Sequence, residues 1–267
     1  NEGEFSDSAW HLTDDSYSIN ISEAWRFYTG NGINVGVIDS GFSYNQGDFV
    51  NYKNDLDYDF ADGDNNALRK NDDLPHGDDV ASILGASADG IDMLGVAFNA
   101  GLVGYRAVYE DGFSAGAALE SVLGNSDVEV INISWGPKES YSWGPEIVAE
   151  SFSAAQSARG GLGQIVVVKA GNGRSPSNTE FNLTADSNGL GAPINSIVVG
   201  SIKQDGTYAD FSQAGANLLI SAPGDEIVSD VDSEGVKLVQ GTNYSTPMVS
   251  GVTSLMLEAN NSLSWVD

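Results

Sequence analysis

Six short runs of β-branched and aliphatic residues punctuate the chain, each closing on small or polar residues. They are Ile33–Asp39 (INVGVID), Gly101–Val108, Val128–Trp135, Gln164–Ala170, Ser196–Ile202 and Asn217–Pro223. Apolar residues fill them almost continuously, the pattern of strands buried on both faces. Between several of them lie segments with helical spacing: Asp78–Ala86, Ala115–Leu123, Glu146–Ala158 and Thr246–Ala259. Strand and helix in alternation predict an α/β fold, a mostly parallel twisted sheet with helices on both faces. No internal repeat and no Pro- or Ser-rich linker interrupts the pattern, so residues 1–267 read as one domain. The acid-rich stretch Asp55–Asp73 reads as an exposed loop.

Composition narrows the picture. A chain of 267 residues, 41% of them hydrophobic, is long enough to bury a sizeable core. Its formal net charge is -27, from 38 Asp and Glu against 11 Lys and Arg. That balance argues against nucleic acid and anionic membranes as partners, which need basic patches. It suits a solvated surface, cation binding or a salty environment. There are no cysteines, so the redox compartment is not encoded in them. No apolar run approaches the roughly 18 residues of a membrane span. The chain starts at Asn1 without a signal-like segment and reads as a piece excised from a longer product.

Strand ends and helix starts hold the candidate chemistry, since ligand sites in parallel sheets gather at the carboxyl ends of the strands. Asp39 closes the first strand in VIDSG, His76 opens a helix in HGDDVASILGA, and Asn172 follows a strand in VKAGNGR. The stretch Gln240–Gly251, QGTNYSTPMVSG, is a tight turn feeding a helix, where backbone N–H groups and the helix dipole favour a reactive side chain. Taken singly, Asp39 is as much a turn acid as a catalytic one, and His76 as much a surface histidine as a base. Together, an acid, an imidazole and a hydroxyl in the order Asp, His, Ser follow one of the known catalytic-triad orders, with Asn172 as an oxyanion donor.

These segments, in this order, resemble the subtilisin-like serine peptidases and within them the kexin/furin branch. SDSAWHL, INISEAW, VIDSG, HGDDVASI, ISWGP, RGGLGQIVVVKAGNG, GTNYSTPMVSG and LEANNSLSW carry the resemblance along nearly the whole chain. It implies a subtilisin-like three-layer sandwich. It places Asp39 and His76 as acid and base and Asn172 at the oxyanion hole. It makes Ser134, Trp135 and Gly136 the edge that pairs with a substrate backbone. It also implies an extracellular or cell-surface location.

One position departs from the family. The family's Gly-Thr-Ser-x-Ala-x-Pro has its nucleophile third; here the third residue is Asn243, and Ser245 falls on the family's alanine. Pro247 fixes this register. Ser245, two positions on, is turned by about 200° on a helix and would face away from His76. A carboxamide is not deprotonated by imidazole and is a poor nucleophile. Asp78 and Asp79 also replace the family's Thr-His or Thr-Arg, and Asp79 near His76 would favour the imidazolium.

Other expectations come from the same resemblance. Glu139 follows SWGP as a substrate-pocket acid, beside the departure Lys138, while Gly191 takes the place of the pocket-bottom acid. A strict dibasic preference is not expected, although the negative surface favours cationic peptides at long range. Asp48 and the SADGIDML loop resemble a calcium site with Asp89 as side-chain ligand and the carbonyls of Ser87, Ile91 and Met93 beside it, the oxygen donors that Ca²⁺ takes. A second site could join Glu139 and Asp186, where Gln213 replaces a third acid.

Three functions follow, in order of preference. The first is a peptidase-fold protein that binds peptides without cutting them. The second is a calcium-dependent endopeptidase using Ser245, or one disabled deliberately at position 243. The third is a structural domain of a larger secreted or surface protein.

Overall fold

Along β1 (Asn34–Asp39), Val35 and Val37 enter one hydrophobic cluster and Ile38 another, so the strand is apolar on both faces because helices cover both. A computed structural model describes residues 9–12, 16–43, 49, 51–70, 74–90, 93–109, 112–136, 145–174, 184–187, 189–191, 193–232 and 235–267.

β1 lies inside a seven-stranded sheet, third from one edge. Its companions are β2 (Tyr58–Asp59), β3 (Gly101–Arg106), β6 (Val130–Ile133), β7 (Ile165–Lys169), β8 (Ser196–Ile202) and β9 (Leu218–Pro223), in the order β2-β3-β1-β6-β7-β8-β9. Every pair in this sheet is parallel. The short strands β4 (Val108–Tyr109) and β5 (Gly112–Phe113) form one antiparallel ribbon, and β10 (Ile227–Asp232) with β11 (Gly235–Val239) another.

Among the described residues four α-helices complete the layers: α1 (His76–Gly85), α2 (Ala115–Val122), α3 (Pro145–Ser157) and α4 (Thr242–Ala259). Val80, Ile83 and Leu84 of α1 and Met248, Leu255 and Leu257 of α4 share a core with Val35, Val37, Val167 and Val199. Leu119 and Val122 of α2 and Val148 and Phe152 of α3 pack on the other face against Ile131, Ile133, Val166 and Val168. Ala9, Trp10 and Leu12 from the start of the chain also enter the first core.

The predicted elements recur within a few residues, with three corrections. α4 starts at Thr242, not Thr246, so Pro247 lies inside it. Proline lacks the N–H that would reach back four residues, and the first turn is held instead by side chains, such as Thr246 Oγ1 donating to Thr242 O at 2.7 Å. The β10–β11 hairpin was not among the expected strands. Finally, the acid-rich stretch is not simply exposed. Asp57 and Asp59 are buried; Asp57 accepts from Gly104 N at 2.8 Å, and Asp59 accepts from Arg106 Nη1 at 2.8 and 3.1 Å. Register explains this, since β2 pairs Asp59 with Arg106 on β3.

Candidate active site

The sheet reverses its direction of growth at β1, whose neighbours β3 and β6 lie far on in sequence; a crevice at such strand ends is where α/β folds bind ligands. Asp39, the last residue of β1, is fully buried. The first residue of α1, His76, meets it there, with Nδ1 2.8 and 3.0 Å from the two carboxylate oxygens. The approach is close because residue 77 is glycine: a Cβ there would lie 2.3 Å from Gly41 O. Ser40 locks the corner, its Oγ accepting from Gly77 N at 3.0 Å and donating to Leu74 O at 2.8 Å.

From the other side comes the first turn of α4. Gly241 precedes it with φ +145, and a Cβ would meet Asn172 Nδ2 at 2.9 Å, so the turn needs glycine twice over. Thr242 gives both its N–H (2.9 Å) and its hydroxyl (2.8 Å) to Asn172 Oδ1 and accepts from Gly171 N at 3.1 Å. Asn172 Nδ2 donates to Asn243 Oδ1 at 2.7 Å, and Asn243 Nδ2 lies 2.8 Å from His76 Nε2. Asp39, His76, Asn243 and Asn172 thus form one connected line.

Ser245 is elsewhere. It is fully buried and bonds Ser201 Oγ and Ala222 O, both at 3.2 Å, on the β8–β9 side of α4. Asp78 accepts from Ser43 N at 2.6 Å and Arg69 Nε at 2.7 Å. Asp79 accepts from Ser229 Oγ at 3.1 Å and from Lys237 Nζ, fastening the β10–β11 hairpin to α1.

Charge in the cleft is balanced. Burial of the His76 ring disfavours the imidazolium, but the Asp39 charge and hydrogen bond, helped by Asp79, outweigh it and hold the pKa above its ordinary value. Lys169, at the end of β7, pulls the other way on His76. Its own ammonium is brought down to about 8 by burial, with Asp39 opposing. Burial also raises Asp79, against the pull of Lys237. Sequence reasoning passed over Lys169; the available signal was a lysine closing the apolar run IVVVK. It also gave no role to Thr242, which orients Asn172.

Along the expected substrate edge, Ser134 is buried and accepts from Asn132 Nδ2 at 2.9 Å, while Trp135 and Gly136 are half-buried just beyond β6. Gly136 faces Lys169, whose Cε would lie 3.3 Å from a Cβ at that position. Glu139, Lys138, Asp48 and Ile91 lie outside the described residues. Of the calcium set, Ser87 and Met93 are buried and Asp89 sits exposed in a turn with Gly90 at φ +80. No cluster of three or more His, Cys, Asp or Glu suited to a metal occurs among the described residues. Asp186, expected at a second cation site, accepts from Asn217 N at 2.9 Å, and Gln213 packs its carboxamide over Gly171.

Comparison with known proteins places this geometry. Residues 30–267 match the subtilase family, and the chain belongs to it. Furin-1 of Xenopus laevis is 29% identical over 276 residues, which is 97% of this chain and 35% of that protein. Protease KEX1 of Kluyveromyces lactis is 27% identical over 278 residues, 98% of this chain and 36% of the relative. The chain therefore spans about a third of the length of these relatives. Among solved structures, a cold-adapted subtilisin-like serine proteinase superposes with TM-score 0.72 at 28% identity, over 90% of this chain and 80% of the other. A protease from Pseudoalteromonas arctica shares the fold with TM-score 0.80 at 23% identity, over 97% and 87%. The chain is a subtilisin/kexin-like serine protease domain of the kexin/furin-like branch. No helix among its described residues is long and apolar enough to cross a membrane.

Proposed function

We propose that this domain binds extended peptides in the cleft between α1 and α4 and does not cut them. One observation carries the reading: the group within hydrogen-bond reach of His76 Nε2 is the Asn243 carboxamide, while the Ser245 hydroxyl is buried beneath α4. In the family's reaction the imidazole takes a proton from a hydroxyl, and the resulting oxygen attacks the substrate carbonyl. The Asn243 nitrogen has its lone pair delocalised into the amide and does not attack. Among the described residues, His76 and Asp39 form an acid–base pair with no hydroxyl bonded to Nε2 to activate. Asn172 retains an amide donor, and Ser134–Gly136 a strand edge, which support binding of a peptide backbone.

A second reading shares this geometry: an active peptidase disabled by a serine-to-asparagine change. The connected Asp39–His76 pair favours it, while the departures at Asp78, Asp79 and Ser245 from the family pattern favour natural divergence instead. Both readings are tested with a fluorogenic peptide carrying a basic residue and with a fluorophosphonate label. The unaltered chain is expected to give neither hydrolysis nor labelling. Asn243→Ser is expected to cut, and Ser245→Ala to change nothing. Cutting by the unaltered chain that Ser245→Ala abolishes would overturn the assignment of Asn243.

Calcium and location belong to the same proposal. Asp48 and Asp89, with the carbonyls of Ser87, Ile91 and Met93, would hold one Ca²⁺; the exposed Asp89 turn offers the hard oxygen donors that ion takes. The ion would brace the loop and take no part in bond cleavage. Melting higher with Ca²⁺ than with chelator is the expected result, and equal melting counts against the site. The furin/kexin resemblance supports an extracellular or cell-surface setting.

A further inference from the structure

The hydrogen bonds of the cleft run in one direction. Thr242 N–H only donates, so the end of Asn172 it meets is Oδ1. Asn172 therefore presents Nδ2 to Asn243, which must answer with Oδ1. That leaves Asn243 Nδ2 for His76, whose Nε2 accepts and whose proton sits on Nδ1 toward Asp39. Neither amide flips alone without setting two donors or two acceptors face to face.

The chemistry of the Asn243 oxygen then matters. A carboxamide oxygen is the same kind of acceptor as a peptide carbonyl oxygen. It sits 2.7 Å from the donor that a bound peptide carbonyl would use, in a part of the cleft open to solvent. Gly241, having no side chain, leaves the approach clear: a Cβ there would lie 2.9 Å from Asn172 Nδ2 and 3.3 Å from Asn243 Oδ1.

We propose that the Asn243 side chain is an internal ligand of the Asn172 donor, standing in for a peptide carbonyl, so that a peptide secures this donor only by displacing it. This rests on the cleft being a peptide site. Asn243 then does two things at once: it removes the nucleophile and sets a threshold that weak carbonyl ligands do not pass. The ligands selected are those whose remaining backbone pairs along Ser134–Gly136 strongly enough to outcompete an amide already in place.

The test is fluorescence anisotropy with a fluorescein-labelled Gly-Ala-Lys-Arg-Ala-Gly peptide amide, titrated with the domain and its variants. Asn243→Ala is expected to bind it about three- to tenfold more tightly, the range for one neutral hydrogen bond no longer displaced. The gain should vanish when Asn172→Ala is added. Asn243→Asp, whose carboxylate holds Asn172 Nδ2 by a charge-assisted bond, is expected to bind more weakly than the unaltered chain. Binding by the unaltered chain with no gain in Asn243→Ala, or a gain that survives Asn172→Ala, sinks the internal ligand and leaves the peptide site standing. Binding by Asn243→Ala alone upholds the internal ligand in its strongest form and removes the unaltered chain as a binder. Binding by none of the forms sinks both.

Discussion

A carboxamide and a hydroxyl differ in what they ask of His76. Asn243 offers Nε2 a donor, which stabilises the neutral ring and opposes the pull of Asp39 toward the imidazolium. Lys169 opposes it too, by charge. Removing either influence, in Asn243→Ala or Lys169→Met, is therefore expected to raise the His76 pKa further, as read from imidazole nitrogen shifts in an NMR titration. An unchanged or lower value in both variants would show that the cleft is not balanced in this way. The other histidine behaves oppositely. His11 is fully buried, neither ring nitrogen has a partner among the described residues, and burial brings its pKa down to about 3. The unfolded chain takes up a proton near pH 6.5 and the folded chain does not. Stability is thus full above that pH and is lost as pH falls below it, by about 1.4 kcal/mol per unit. His76, with its raised pKa, has the reverse sign and loses its contribution as pH rises through that value. Urea midpoints between pH 6.5 and 5 should fall for the native chain, and the slope should flatten in His11→Leu. Asp39, His76 and Asn172 were legible in the sequence because each stands in a recognisable turn at a strand or helix end. Lys169 and His11 were not, because burial is what gives them their character and no motif announces it.

Elements were easier to foresee than their edges. The long apolar runs of β1, β7 and β8 left little room for another reading. The start of α4 was placed too late because Pro247 looks like a first-turn proline, whereas Gly241 and the Asn172 side chain already hold the turn at Thr242. β2 escaped notice because only Tyr58 and Asp59 pair, inside a run of acids. Its carboxylate is nonetheless structural. Asp59 also accepts from the N–H groups of Ala61 and Asp62, at 2.8 and 3.0 Å, so Arg106 and two backbone donors compensate a charge with no exposure. Replacing Arg106 with Met leaves that charge without its cation. The expected cost is about 3–5 kcal/mol in urea unfolding, much of it recovered when Asp59→Leu is added. A cost below about 1 kcal/mol would mean that water reaches the pair.

Across the whole molecule a net charge of -27 repels itself. Sodium chloride screens that repulsion, since the screening length falls from about 30 Å at 0.01 M to about 8 Å at 0.15 M. The melting temperature is expected to rise with sodium chloride even in the presence of chelator, which separates general screening from a specific Ca²⁺ effect. A flat response would locate the charges too far apart to matter. The position of β1 has another consequence, for how the chain reaches this state at all. Val35 pairs with Val130, and Asn34 N meets Glu129 across 95 positions of sequence. Closing such a loop costs roughly 4 kcal/mol of chain entropy before any contact offsets it. No hairpin shortcut exists, because parallel neighbours are never joined by a tight turn. Refolding should therefore be slow, with β1 among the last strands to gain both partners. A molecule opened at β1 must search again for two partners, both of them far along the chain.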